Sequence, residues 1–187
     1  MSTSRLLLIS LLLLFQPLHA GATDRPLINA AAIAFGESDD SDESDVYRVS
    51  FQKKWRHSWF DGGAWFLGGY WDTGLTRIKA DSGHTDTVYD INLTPVFRYQ
   101  RDAGLSSGVT PFAEAGFGLH LLTDTHVGNN KLSTAFQFGS LIGVGVGFGE
   151  HGQYELTYQY TNLTNADIKK PNDGFDAHLF KLGYNFY

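Results

Sequence analysis

The feature that most constrains this chain is a two-residue alternation that runs through eight successive stretches, from about residue 27 to the C-terminus. Along a β-strand, side chains two apart share a face. Tyr47, Val49, Phe51 and Trp55 therefore share one face, opposite Arg48, Ser50, Gln52 and Lys54. Tyr89, Ile91, Leu93, Phe97 and Tyr99 lie opposite Asp90, Asn92, Thr94 and Arg98. Phe136, Phe138, Ile142, Val144, Val146 and Phe148 lie opposite Gln137 and several glycines. Turn-like clusters interrupt the alternation at fairly regular intervals. The pattern predicts strands near 27–36, 46–56, 63–77, 87–100, 110–122, 134–148, 153–164 and 176–187.

Two architectures accommodate such alternation. A soluble sandwich or lipocalin-like barrel turns the apolar face inward; an outer-membrane barrel turns it outward around a small or polar interior. The second reading is favoured. Tyr and Trp recur near strand ends, as at membrane interfaces. The strands run to about 10–14 residues, well beyond the usual soluble strand. The predicted interior is rich in glycine, and the chain holds 21 of them. The chain ends Tyr184-Asn185-Phe186-Tyr187, a terminal aromatic that resembles the assembly signal of bacterial outer-membrane proteins. Eight strands make a barrel just wide enough for side chains to fill, so no pore is expected.

The N-terminus carries Arg5, the apolar run Leu6–Phe15 and small residues at Ala20 and Ala22. This reads as a secretory signal peptide over residues 1–20, cleaved after 20 or 22 and followed by a single barrel domain over 23–187. There is no cysteine, so an exported chain of this kind has no disulfide. The formal net charge of -6 argues against nucleic acid. With the mature N-terminus in the periplasm, the segments near 37–45, 79–86, 123–133 and 165–175 lie outside the cell.

The last two predicted strands carry the candidate site. Tyr154, Leu156, Tyr158 and Tyr160 lead to Asn162 and Thr164 on one strand. Phe186, Tyr184, Leu182 and Phe180 lead to His178 and Asp176 on the other. The four polar residues thus belong to the apolar, lipid-facing side. Matching the apolar rows pairs Thr164 with Asp176, Asn162 with His178 and Tyr160 with Phe180. Directly opposed residues lie ~5 Å apart.

At these residues the chain resembles the lipid A 3-O-deacylases, PagL-like outer-membrane esterases. The resemblance shows in Gly69-Tyr70-Trp71-Asp72, Thr94-Pro95-Val96-Phe97, Pro111-Phe112-Ala113-Glu114-Ala115-Gly116 and Val127-Gly128. It is closest in Thr164-Asn165-Ala166 followed by Lys170-Pro171-Asn172-Asp173-Gly174. It implies an eight-stranded barrel that removes the ester-linked acyl chain at the 3 position of lipid A, without metal or cofactor. It also implies a His base, a Ser nucleophile, a Glu that orients the His, and an Asn in the oxyanion site. The family pattern His-x-Ser-Asn, with Glu eleven residues later, stands here as Asn162-Leu163-Thr164-Asn165 and Asp176.

Thr164 offers a hydroxyl and Asp176 a carboxylate, but Asn162 is an amide that does not titrate near neutral pH. Three readings remain open. One is an ester hydrolase with a rearranged triad, in which His178 serves Thr164 as substitute base and Asn165 supports the oxyanion. The second is a catalytically impaired barrel that still binds lipid A. The third is a structural or adhesion barrel of the outer membrane. Lys169 and Lys170 are candidates for contact with lipid A phosphates. Arg98 and Glu114 both face the predicted interior, where charges need partners, so a structural ion pair is expected. The lipid-facing surface permits a homodimer.

Overall fold

The computed structural model describes residues 26–39, 43–81, 83–102 and 108–186. The expected signal peptide and the terminal Tyr187 lie outside the described residues. Eight long strands close into one antiparallel barrel: β1 (Ala30–Ser38), β2 (Ser44–Lys54), β3 (Trp65–Ala80), β4 (Thr87–Arg101), β5 (Val109–Leu122), β8 (Phe136–Phe148), β9 (Tyr154–Thr164) and β10 (Phe175–Asn185). The two remaining strands, β6 (His126–Val127) and β7 (Asn130–Lys131), form a small hairpin in the β5–β8 connection, where no strand was expected. Around the barrel the order is β1-β10-β9-β8-β5-β4-β3-β2, each strand beside its neighbour in sequence and β1 sealed against β10. Closure leaves no sheet edge, which is what lets strands sit in a bilayer.

The faces follow the alternation. Leu75, Ile91, Leu93, Leu119, Ile142, Val144 and Leu182 project outward and are exposed, as a lipid-facing belt requires. Aromatic rings gather near the lower end, the end opposite the connection 165–174: Trp55 packs on Phe97 with centroids 4.8 Å apart, and Trp65 stacks on Tyr99 at 5.4 Å.

Inside, Glu114 is the centre of a charged network. Its carboxylate accepts from Arg98 at 2.7 and 3.0 Å, Lys181 at 2.8 Å, Gln159 at 2.6 Å and Tyr70 at 2.8 Å. Arg98 also donates to Glu155 at 2.7 Å, and Asn185 donates to Glu155 at 3.0 Å. Two cations balance two carboxylates. The expected Arg98–Glu114 pair is present and forms half of this larger set. Above it Arg48 pairs with Asp72, and His120 meets Asp90 at 2.9 Å.

The upper interior turns apolar. Val46, Ile78, Val88, Leu122, Leu163, Phe175 and Leu179 pack with Val127 and Leu132 from the β5–β8 connection. Leu132 is fully buried. This plug closes the mouth that the charged interior would otherwise leave open to water.

Candidate functional site

Leu163 on β9 and Phe175 on β10 are opposed in the sheet and both point into the plug. Their neighbours must therefore point the other way. Asn162, Thr164 and Asp176 emerge on the outer wall at the upper rim, on the face expected for them.

The register differs from the expectation by two residues. Asp176 lies opposite Asn162, His178 opposite Tyr160 and Phe180 opposite Tyr158. A two-residue slip leaves every side chain on its face, so the outer apolar rows fit either register. The interior separates them. In the observed pairing Gly183 lies opposite Glu155 and Lys181 opposite Thr157. A Cβ at Gly183 would stand 3.3 Å from the Glu155 Cβ, so the glycine makes room for the carboxylate that holds Arg98. Slipping by two would set Glu155 against Asn185 and disperse that arrangement.

The observed register brings Asn162 and Asp176 together. The Asn162 amide donates to Asp176 Oδ1 at 2.8 Å, and the Tyr160 hydroxyl donates to the same oxygen at 2.7 Å. Thr164 is not brought to Asp176. It lies two residues above Asn162 on the same face, opposite Phe138 of β8. Its hydroxyl oxygen accepts from Asn172 Nδ2 at 2.8 Å and from the Ala166 amide at 3.2 Å. No imidazole or carboxylate is among these partners.

His178 is directed elsewhere as well. Its Nδ1 is 2.7 Å from the Tyr158 hydroxyl, and its Nε2 is 3.7 Å from Asp39. Its ring lies between those of Tyr158 and Tyr160, with centroids 5.9 and 5.2 Å away. Four residues along β10 separate it from the position opposite Thr164, roughly 13 Å of strand.

Asn165 is 1% exposed. Its amide donates 2.7 Å hydrogen bonds to the carbonyls of Leu132 and Lys169. Its backbone N–H donates to Asn172 Oδ1. Asp173 in turn accepts from the Lys131 amide at 2.8 Å, and Asn130 donates to the Gly174 carbonyl at 3.3 Å. The connection 165–174 is thus tied to the β6–β7 hairpin over the rim. Lys169 and Lys170 stand exposed on its outer side, with Lys170 3.5 Å from Asp167. Ile168 beside them is 69% exposed.

Two members of the cluster were not singled out from the sequence. Tyr158 and Tyr160 count in the apolar row, yet their hydroxyls bind the imidazole and the carboxylate. The available signal was their place two and four residues before Asn162 on its own face. Among the described residues no three His, Cys, Asp or Glu side chains converge as metal ligands.

Comparison with known proteins agrees with this architecture. The family model for lipid A 3-O-deacylase (PagL) matches residues 45–185. The lipid A deacylase PagL of Pseudomonas aeruginosa strain PAO1 is 31% identical over 175 residues, 93% of this chain and 94% of that protein. The lipid A deacylase PagL of Bordetella bronchiseptica is 30% identical over 134 residues, 71% and 70% of the two chains. The crystal structure of the outer membrane enzyme PagL superposes with a TM-score of 0.73 at 26% identity, covering 84% of this chain and 99% of that one. Neisserial surface protein A, at 15% identity and a TM-score of 0.52, shares the fold. The chain belongs to the lipid A 3-O-deacylase (PagL) family and is an eight-stranded barrel of the bacterial outer membrane.

Proposed function

We propose that this barrel binds lipid A against its outer wall at the β8–β9–β10 rim but hydrolyses the 3-position ester far more slowly than a site with an imidazole would. The observation that carries the proposal is the occupant of position 162. Asp176 is placed to orient a base there, and Thr164 stands two residues on along the same face. That is the order carboxylate, base, hydroxyl. The base position holds an amide whose N–H donates to the carboxylate.

The chemistry follows from that substitution. Attack by the Thr164 hydroxyl on an acyl carbonyl forms a new C–O bond and releases a proton. A carboxamide cannot accept it at neutral pH, because amide protonation requires strong acid. The hydroxyl's neighbours, Asn172 Nδ2 and the Ala166 N–H, are donors and cannot accept it either. Removing the base of a nucleophile–base–acid unit typically costs about 10⁴-fold or more in turnover. Binding does not need the base. Phe138, Tyr158 and Phe180 offer apolar surface for acyl chains at this rim, and Lys169 and Lys170 offer charge to a lipid A phosphate.

The test is mass spectrometry of lipid A incubated with the purified wild-type barrel, scoring both retention and acyl composition. The expected result is lipid A retained in preference to phosphatidylglycerol, with its 3-O-acyl chain intact. Rapid appearance of 3-O-deacylated lipid A overturns the disarmed reading. Equal retention of the two lipids overturns the lipid A assignment.

A further inference from the structure

A second charged feature stands on the wall away from the candidate site. Alternation along β3 turns Leu75, Arg77 and Lys79 outward, between the buried Thr76, Ile78 and Ala80. Arg77 lies between Tyr47 of β2 and Tyr89 of β4 in register, and both tyrosines are exposed. The row below, Val49, Leu75 and Ile91, is wholly aliphatic and 45 to 56% exposed, as a surface against acyl chains should be. Lys79 is one row higher, opposite Asp45.

Among the described residues the side chains of Arg77 and Lys79 have no hydrogen-bond or ion-pair partner. The interior cations of this barrel are treated otherwise: Arg48, Arg98 and Lys181 are all paired with carboxylates. A cation directed at lipid immediately above an aliphatic belt is costly unless it meets an anion at headgroup depth. The Tyr47 hydroxyl is 3.5 Å from Asp45 Oδ2, so Tyr89 supplies the further hydroxyl donor, and tyrosine favours this interface.

From this arrangement we infer that Arg77 and Lys79, flanked by Tyr47 and Tyr89, hold a phosphate of a second lipid A molecule on the β2–β4 wall. The wall is distinct from the first site. β2 and β1 intervene between β3 and β10, and three strand spacings of ~4.8 Å separate the two. The rim between them is acidic, with Glu37 opposite both Asp45 and His178. One phosphate therefore has no continuous basic track from one wall to the other. Lipid A is the occupant because the family's lipid carries phosphate and the cations lie at the same rim as Asn162 and Asp176. The inference rests on the reading of lipid A as this barrel's lipid.

Native mass spectrometry of the detergent-solubilised full barrel tests it. The titrants are bis-phosphorylated lipid A, the same lipid A after enzymatic dephosphorylation, and phosphatidylglycerol. Wild type is expected to retain two lipid A molecules. Arg77→Glu with Lys79→Glu is expected to retain one, the second binding about tenfold or more weakly. Dephosphorylated lipid A should also leave one. Both positions are exposed, and Arg77→Gln with Lys79→Gln provides a milder variant should charge reversal impair assembly. If the first site fails and this one holds, wild type retains one lipid and the charge variants none. If this site fails and the first holds, wild type and variants all retain one. Two lipids in every variant, or equal displacement by phosphatidylglycerol, overturns the assignment.

Discussion

Two polar clusters in this barrel contain similar groups on opposite sides of a wall one strand thick. Inside, Glu114 accepts from Arg98, Lys181, Gln159 and Tyr70, and Glu155 accepts from Arg98 and Asn185. Outside, at the upper rim, Asp176 accepts from Asn162 and Tyr160. The inner cluster holds the more heavily buried charges, and burial with charge is a common mark of an active site. Here it marks scaffold. Its carboxylates are buried, its charges balance, and the Leu132 plug lies between it and the upper rim. The outer cluster has fewer bonds and partial exposure. Those properties leave it open to a lipid from the outer wall.

This contrast can be broken by mutation, starting where the effect is greatest. Glu114→Gln leaves Arg98 and Lys181 with one carboxylate between them. Breaking a buried charge set typically costs about 3–5 kcal/mol. The expected outcome is a large fall in the urea midpoint of the folded barrel, followed by heat-modifiable gel mobility. An unchanged midpoint would mean that the inner cluster is not structural. Gly36→Val comes next. A Cβ there meets the His178 backbone carbonyl across the β1–β10 seam, and overpacking of this kind costs about 1–3 kcal/mol. The same unfolding assay should show a smaller fall, together with a changed environment for the outer cluster.

Asn165→Ala should act locally. It removes both amide donors that hold the 165–174 connection to Leu132 and Lys169, leaving a buried carbonyl unsatisfied at about 1–3 kcal/mol. Trypsin cleavage after Lys169 should accelerate while the barrel stays folded; the Lys170–Pro171 bond is not a trypsin site. Asp176→Asn should have the least effect on stability, below about 1 kcal/mol, because its partners are partly exposed and can turn to solvent. A loss as large as that of Glu114→Gln would erase the distinction between the clusters.

Much of this was legible in the chain. Alternation separated the two faces of most strands, because period two needs no knowledge of neighbours; the interfacial aromatics, strand length and interior glycines decided which face is outside. Arg98 and Glu114 could be paired because β4 and β5 are consecutive and both side chains face inward. Tyr70, Glu155 and Lys181 could not be added, since only closure of the barrel brings positions 70, 114, 155 and 181 to one centre. Register was the harder quantity. Tyr158 and Tyr160 present equivalent rings to Phe180, so the outer rows permit both pairings. The choice rests on Gly183 yielding to Glu155. Asn165 illustrates the same limit: its partner Leu132 belongs to a connection whose path the alternation does not describe.

The central claim is that the outer cluster is positioned for ester hydrolysis and lacks only its base. Asn162→His with Thr164→Ser, made in the full chain, tests it by mass spectrometry of lipid A exposed to each protein. The new imidazole would take the place of an amide that already lies 2.8 Å from Asp176. The account predicts lipid A left fully 3-O-acylated by wild type and deacylated at that position by the double variant. Wild-type deacylation at the variant's rate would contradict the account, as would a folded double variant that leaves lipid A untouched.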